Sequence, residues 1–251
     1  MRTISALLAF ACSLAAQDHV GKPLPDYVTG DECLFCHDRN VGITWQTNPH
    51  AWTIRPVSII PATPTPPKEA THVLGSAARA RWLKLSGYGR FDLLASDSKT
   101  WQAGAFSNRC AGCHTTAVDP TTRAFSTFAL DCYTCHGVVP GAHSGNTTLV
   151  WLSKNHERPP RLVVSICGQC HLRGGRSRSS GLPFANNFVA GDDLFADFQV
   201  DLKDDAGDPH IYRNVRDVLE HGSATTCLNC HRIHGNATAP KKDAHSPVCE
   251  Y

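Results

Sequence analysis

Methionine is almost missing from this chain: among 251 residues the only one is Met1. No metal site beyond the first residue can therefore use a methionine thioether as a ligand. The chain also has little net charge, since it contains 24 Lys and Arg residues and 22 Asp and Glu residues. This balance gives no support to nucleic-acid binding. Long apolar runs are confined to the N-terminus, so the rest of the chain predicts no membrane-spanning helix and no integral membrane protein.

The N-terminal segment MRTISALLAFACSLAAQD has the pattern of a secretory signal peptide. Arg2 precedes an apolar run over Ile4–Ala16, and small residues come before the polar continuation. A run of about 13 residues is too short to cross a bilayer. We therefore expect residues 1–16 to be removed, residues 17–251 to form one domain, and the mature chain to be periplasmic or secreted. Lipidation at Cys12 is the less favoured alternative.

Cysteine and histidine, in contrast, are abundant and regularly placed. Ten of the twelve cysteines fall in five C-x-x-C-H segments, which we number motifs 1 to 5 in chain order. Their residues are Cys33, Cys36 and His37; Cys110, Cys113 and His114; Cys132, Cys135 and His136; Cys167, Cys170 and His171; and Cys227, Cys230 and His231. Such a segment is the attachment signal for c-type haem: the thiols form thioethers and the histidine binds iron as the proximal ligand. The sequence therefore predicts five covalently bound haem c groups.

Other uses of paired cysteines explain this pattern less well. A zinc site needs two such pairs for each metal and has no use for a histidine fixed after the second cysteine. A thioredoxin-like motif would normally occur once, beside a βαβ pattern. A disulfide framework suits a secreted chain but gives no reason for histidine at the same offset five times. Haem attachment alone explains the complete motif.

The shortage of methionine also limits the second axial ligand of each iron. Without His/Met ligation, that ligand must be histidine, another nitrogen or oxygen donor, or absent, and we expect low reduction potentials. Five of the fourteen histidines are proximal, which leaves nine candidates. They are His19, His50, His72, His143, His156, His210, His221, His234 and His245.

The segment DYVTGDECLFCHDRNVGITWQTNPHAW resembles the opening of a family of multihaem cytochromes c related to the tetrahaem cytochrome of ammonia oxidation. The resemblance continues in order through THVLGSAARARWL, RCAGCHTT, CYTCHGVVPGAH, VSICGQCH and EHGSATTCLNCHRIHG. It implies that His50, His143 and His221 are distal iron ligands. His72 and His234 also match recurring histidines of that family and are further candidates for the metal sites.

Two features depart from the pattern of that family. Val138 and Val139 lengthen by two residues the segment between motif 3 and His143. The chain also ends two residues after Cys249, where the family commonly has another C-x-x-C-H. We expect either a truncated sixth motif or a pentahaem chain with a free terminal thiol, which could then dimerise oxidatively.

The sequence favours a mainly α fold with extensive loops around a contiguous haem array, and little or no sheet. AARARWLKL is predicted as a short helix, and IYRNVRDVLEHG as an amphipathic helix that ends at Gly222. The proline-rich stretch IRPVSIIPATPTPPKEAT is predicted as a connector. Because motifs 2 and 3 are close in sequence, we expect their haems to be neighbours.

Two functions fit these features. The first is electron transfer between periplasmic or membrane redox proteins through five closely spaced, mostly bis-His haems, with a homo-oligomer or filament as a possible assembly. The alternative is a haem enzyme that acts on a small nitrogen or sulfur compound at one five-coordinate haem. A pentahaem nitrite reductase would usually carry one C-x-x-C-K motif, whereas all five motifs here end in histidine. Electron transfer is therefore favoured.

Overall fold

The computed structural model describes residues 27, 29–59, 65–75, 80–153, 157–203 and 209–234. Several predictions from the sequence lie outside the described residues: the signal peptide, the truncated sixth motif, and the residues Cys12, Cys249, His19, His156 and His245. Within the described ranges, none of the helices combines the length and the apolar character that a membrane span requires.

The largest element of regular structure is an antiparallel sheet of five strands in the order β1-β2-β3-β4-β5. Its strands are β1 (Ile54–Pro56), β2 (His72–Leu74), β3 (Arg81–Gly87), β4 (Arg90–Leu94) and β5 (Trp101–Gln102). Two smaller sheets have two strands each. They pair β6 (Thr115–Val118) with β7 (Phe125–Phe128), and β8 (Arg176–Ser177) with β9 (Phe198–Gln199).

The prediction of a mainly α fold with little or no sheet is therefore wrong. The segment predicted as a helix contains β3, in which Leu83 pairs with Leu93 and Leu85 pairs with Phe91 of β4. These apolar residues recur at every second position, which is the period of a strand and not of a helix. Gly89 has a φ of 61°, a left-handed conformation that favours glycine in the tight connection between the two strands.

Two longer helices form the second part of the fold. The helix α6 (Pro160–His171) contains motif 4, and α7 (Pro209–His221) confirms the predicted amphipathic helix. Gly222, with a φ of 66°, follows α7 directly and ends it. The remaining helices are short: α1 (Gly30–His37), α2 (Ile43–Trp45), α3 (Ala105–Arg109), α4 (Ala111–His114), α5 (Cys132–His136) and α8 (Cys227–Cys230).

Apolar side chains pack into two separate clusters. The sheet cluster consists of Ile54, Leu74, Leu83, Phe91, Leu93, Phe106, Ala111 and Phe125. The helix cluster consists of Val164, Leu172, Leu194, Phe198, Tyr212, Val215 and Val218. Motifs 2 and 4 adjoin these clusters. Ala111 of motif 2 belongs to the sheet cluster, and Leu172 of the helix cluster follows motif 4 directly.

Candidate haem-binding sites

All five motifs lie in or at the end of a helical segment, which is short at motifs 1, 2, 3 and 5 and is the longer helix α6 at motif 4. The helices α1, α4, α5 and α6 end at the motif histidine, and α8 ends at Cys230, one residue before His231. In a helical turn, residues three and four positions apart project from the same face. The two thiols and the imidazole of one motif therefore share a face, as attachment to a single haem requires.

Several motif cysteines lie against a cysteine of another motif. The thiol of Cys132 in motif 3 donates a hydrogen bond to Cys33 in motif 1, which lowers the pKa of Cys33 to about 7. Motifs 2 and 4 also touch, because the Cys113 thiol donates to the Gln169 carbonyl (3.6 Å) and the Cys170 thiol donates to the Gly112 carbonyl (3.9 Å). Cys167 of motif 4 and Cys227 of motif 5 are close enough to shift each other's pKa, upward for Cys167 and downward for Cys227.

These contacts define the order of the motifs in space. Motif 1 lies against motif 3, motif 2 against motif 4, and motif 4 against motif 5. Cys135 of motif 3 is also close enough to Cys167 and Cys170 for its charge to influence their pKa. The attachment points therefore run 1-3-4-5, with motif 2 beside motif 4. The thiol contacts of motif 2 are with motif 4. Thr116, two residues after motif 2, also forms a hydrogen bond with Thr134 inside motif 3 (3.1 Å), so the expected closeness of the haems at motifs 2 and 3 stays a prediction.

Three proximal histidines face a second imidazole ring that comes from a different part of the chain. The pairs, with their centroid separations and interplanar angles, are His37 and His143 (6.2 Å, 31°), His136 and His234 (5.8 Å, 39°), and His171 and His50 (6.1 Å, 75°). Each pair brings a motif histidine together with one of the predicted distal ligands.

The separation of these rings fits one iron held between two imidazoles. A bond from imidazole nitrogen to a metal is about 2 Å long, and the nitrogen lies about 1 Å from its ring centroid, which gives about 6 Å between centroids. Two aromatic rings that simply stack can have centroids closer than about 6 Å. Two rings joined by a direct hydrogen bond would not need to face each other. The residues at motifs 1, 3 and 4 therefore fit haem c with histidine on both sides.

Hydrogen bonds at Nδ1 orient several of these rings. When Nδ1 carries the proton and donates it, Nε2 keeps its lone pair for a metal. The acceptors and distances are the Trp151 carbonyl for His136 (2.5 Å), the Pro140 carbonyl for His143 (2.9 Å) and the Asn48 amide oxygen for His50 (3.1 Å). Each of these three rings is thus held in the tautomer that iron ligation needs.

Burial keeps several of the same histidines neutral. Loss of water lowers the pKa of His50 and of His136, and it lowers the pKa of His114 to about 4, with a further contribution from Arg173. A protonated imidazole has no lone pair for a metal. These rings are therefore in their ligating form at neutral pH.

Motifs 2 and 5 are different in their surroundings. Within the described ranges, neither His114 nor His231 has a second imidazole facing it at such a separation. His72 packs instead against the rings of Phe91 (5.0 Å) and Phe128 (4.9 Å), and His221 ends α7 at an exposed position. The structure thus does not pair these two predicted distal ligands with a motif histidine.

Asp131 is a site residue that the sequence reasoning missed. Its buried carboxylate accepts hydrogen bonds from the backbone N–H of Tyr133 (3.0 Å), at the start of α5, and of Gly30 (3.3 Å), at the start of α1. The hydroxyl of Tyr27 donates to the same carboxylate. One side chain therefore joins the helices of motifs 1 and 3. Aspartate directly before a helix is an N-cap signal that the sequence did contain.

Replacing Asp131 with alanine is expected to lower the free energy of unfolding by about 2 kcal/mol, because a helix cap and the buried N–H of Gly30 lose their acceptor, while the part-buried Tyr27 hydroxyl keeps Thr127 as a partner. Chemical denaturation of the holoprotein measures this change. Asp97 is a matched control: it also accepts from two backbone N–H groups, of Lys99 and Thr100, but it is exposed. Equal losses in the two variants would contradict a joining role for Asp131.

Comparisons with known proteins add one loose structural match. No family model and no curated protein matches the chain. A solved structure, the undecaheme cytochrome from the S-layer of Carboxydothermus ferrireducens, is similar with a TM-score of 0.41 and 17% identity. The match covers 86% of this chain and 41% of that chain, so this chain spans less than half the length of that neighbour. Because the superposition is this loose, nothing about function follows from it, and the family resemblance stays a prediction.

Proposed function

We propose that this chain is an extracytoplasmic multihaem c-type cytochrome that transfers electrons through five haem c groups. The observation that carries the proposal is the set of three facing histidine pairs at motifs that also touch one another. Motif 1 touches motif 3 at Cys33 and Cys132, and the Gln169 amide of motif 4 donates to the Thr134 carbonyl of motif 3 (3.5 Å). Haem sites that worked independently of one another would not need to be in contact. A conduit does need this contact, because electrons pass only between cofactors that are close together.

The residues act as anchors and as axial ligands in this proposal. When bound, haem c supplies one-electron chemistry at its iron. The motif cysteines would hold each group covalently, and the motif histidines would bind its iron. His143, His234 and His50 would supply a second histidine ligand at motifs 1, 3 and 4. Two histidine ligands at each of these sites would leave no place on the metal for a substrate, which favours a carrier.

The proposed location and partners rest on the sequence. The N-terminal pattern predicts export, and haem c would be attached after export. Donors and acceptors would be periplasmic or membrane redox proteins, and a homo-oligomer or filament is compatible with contiguous sites.

The alternative, a haem enzyme for a small nitrogen or sulfur compound, is favoured by one observation. His114 and His231 lack a facing imidazole in the described part of the chain, so the second axial position at motif 2 or 5 is where a substrate would bind. In the described part of the chain, the buried Nδ1 of His114 also has no hydrogen-bond partner, whereas Nδ1 of His136 at motif 3 donates to the Trp151 carbonyl.

Two measurements on the purified ferric holoprotein test the proposal. Mass spectrometry is expected to find five haem groups on each chain. Electron paramagnetic resonance with spin quantitation is expected to show low-spin haem only, with no spectral change on adding nitrite, hydroxylamine or cyanide. A stoichiometric high-spin signal that these compounds alter would instead favour the enzyme. A haem count below five would remove the complete array.

A further inference from the structure

Asn48 is a fully buried side chain placed between two of the facing histidine pairs. Its exposed fraction is 0%. Its amide oxygen accepts from the backbone N–H (2.9 Å) and from the ring Nδ1 (3.1 Å) of His50, which faces His171. Its amide nitrogen donates to the carbonyl of Ile233, the residue before His234, which faces His136. One amide group therefore touches the chain at two proposed distal ligands.

The chemistry of the partners fixes the orientation of this amide. A backbone N–H only donates and a carbonyl only accepts, so the oxygen must point to His50 and the nitrogen to Ile233. The Nδ1 atom of His50 must then carry its proton, and Nε2 is left with its lone pair. The tautomer of His50 is thus set by Asn48 and not by the metal alone.

The surroundings of Asn48 connect neighbouring motifs. The carbonyl of His50 accepts from the backbone N–H of Leu130 (3.2 Å), two residues before motif 3. Motifs 3 and 4 are themselves adjacent through Cys135. Asn48 is therefore bonded to the segments of two proposed distal ligands, and the first of these segments is bonded to the residues just before motif 3.

We propose that Asn48 is a positioning residue that orients the distal imidazoles of motifs 3 and 4 together and thereby sets the reduction potentials of both haems. This inference rests on the proposed function. A hydrogen bond from Nδ1–H makes an imidazole a stronger electron donor, which stabilises ferric iron and lowers the potential. Asn48 supplies this bond directly to His50, and it fixes the backbone from which His234 projects.

A simpler role must be separated from this one. Asn48 is also the N-cap of the 3-10 helix Pro49–Trp52. Asparagine and aspartate are equally good N-caps, whereas alanine is poor. Capping alone would therefore predict lower stability in Asn48→Ala, no change in Asn48→Asp, and no effect on any potential in either variant.

The two variants are expected to shift the potential of the motif 4 haem in opposite directions. An aspartate carboxylate accepts more strongly from Nδ1–H of His50, so the potential falls in Asn48→Asp. Alanine accepts nothing, so the potential rises in Asn48→Ala. Loss of one such partner typically changes the affinity or activity of a metal site by about tenfold. We expect a change of the same size here in the ratio of ferrous to ferric iron, measured at the midpoint potential of the unsubstituted protein. In both variants, loss of the amide donor to Ile233 shifts the motif 3 haem as well.

Potentiometric titration followed by electron paramagnetic resonance measures these shifts site by site. The rings of His50 and His171 cross at 75°, whereas the other two pairs are tilted by 31° and 39°. Crossed planes leave two iron orbitals nearly equal in energy, so the motif 4 haem is expected to give the most anisotropic low-spin signal. The signal can then be followed separately through the titration.

Asn186 provides the matched control. It is buried, its amide oxygen accepts from Arg123 (3.1 Å) and its nitrogen donates to Ser179 (3.3 Å), and none of these residues belongs to a motif or a facing pair. Asn186→Asp and Asn186→Ala are expected to leave all potentials unchanged. Opposite shifts at the motif 4 haem in the Asn48 variants support the proposal. Unchanged potentials, or shifts of the same sign in both variants, overturn it. If the parent itself lacks low-spin bis-imidazole signals, the proposed function has failed instead.

Discussion

Replacing His143 with alanine is expected to convert one of the five haems from low-spin to high-spin in the ferric protein. The ring of His143 faces that of His37 at 6.2 Å, and its Nδ1–H is held by the Pro140 carbonyl. Removing it leaves an axial position to water, a weak ligand that favours the high-spin state. The segment Gly141–Ser144 has no buried residue, so the substitution costs little packing. Spin quantitation and cyanide binding measure the change.

Two controls make this result specific to ligation. Ser144→Ala changes an exposed neighbour in the same 3-10 helix and is expected to leave the spectrum unchanged. Imidazole added to the His143→Ala protein is expected to enter the vacated position and restore the low-spin signal. A variant that stays fully low-spin without added ligand, with five haems attached, would show that His143 is not bound to iron.

Local patterns in the sequence are enough to predict attachment sites, because a C-x-x-C-H segment needs only one helical turn to present its three groups. The structure places each motif at such a turn, and haem attachment itself stays a prediction. The choice of distal histidine is a different problem. His143 follows motif 3 in the chain but faces the histidine of motif 1, and His50 follows motif 1 but faces that of motif 4. Such pairings depend on tertiary packing, so sequence could name these histidines but not their partners.

The sheet was missed for a related reason. Alanine and arginine in AARARWLKL have high helix propensity, but Leu83 and Leu85 follow a two-residue period that pairs with Phe91 and Leu93. Tertiary pairing across the hairpin outweighs local propensity here. Gly87 and Gly89, on either side of Tyr88, mark the turn, and they are the sequence feature that could have revealed it.

The facing pairs also determine how the chain is held together. Each pair joins segments that are distant in sequence, such as those around His136 and His234. Several of these segments bury little: α1 buries only Gly30, and the 3-10 helices Pro49–Trp52 and Gly141–Ser144 have no buried residue. The sheet cluster and the helix cluster, in contrast, consist of protein side chains alone. In the proposed holoprotein, haem ligation would therefore hold these segments, whereas apolar packing holds the two clusters.

Chain produced without haem attachment is therefore expected to lose part of its structure and keep the rest. Amides of residues 30–52 and 137–149 should exchange with solvent at least about a hundredfold faster than in the holoprotein, because their hydrogen bonds lie in segments with few buried contacts. Amides of β3, β4, α6 and α7 should keep most of their protection, since Leu83, Phe91 and Val164 remain packed. Hydrogen exchange with mass spectrometry resolves both groups in one experiment.

The thiols must be kept reduced in this experiment, because Cys33 and Cys132, among others, are close enough to form disulfides that would staple the loosened segments. A haem-free Asp131→Ala chain is a useful comparison, since it should also lose the hydrogen bonds by which Asp131 joins α1 to α5. If the two groups of amides lose protection together, the chain is a single cooperative unit and the division between ligation and packing is wrong. If both groups keep it, haem ligation contributes little to holding these segments.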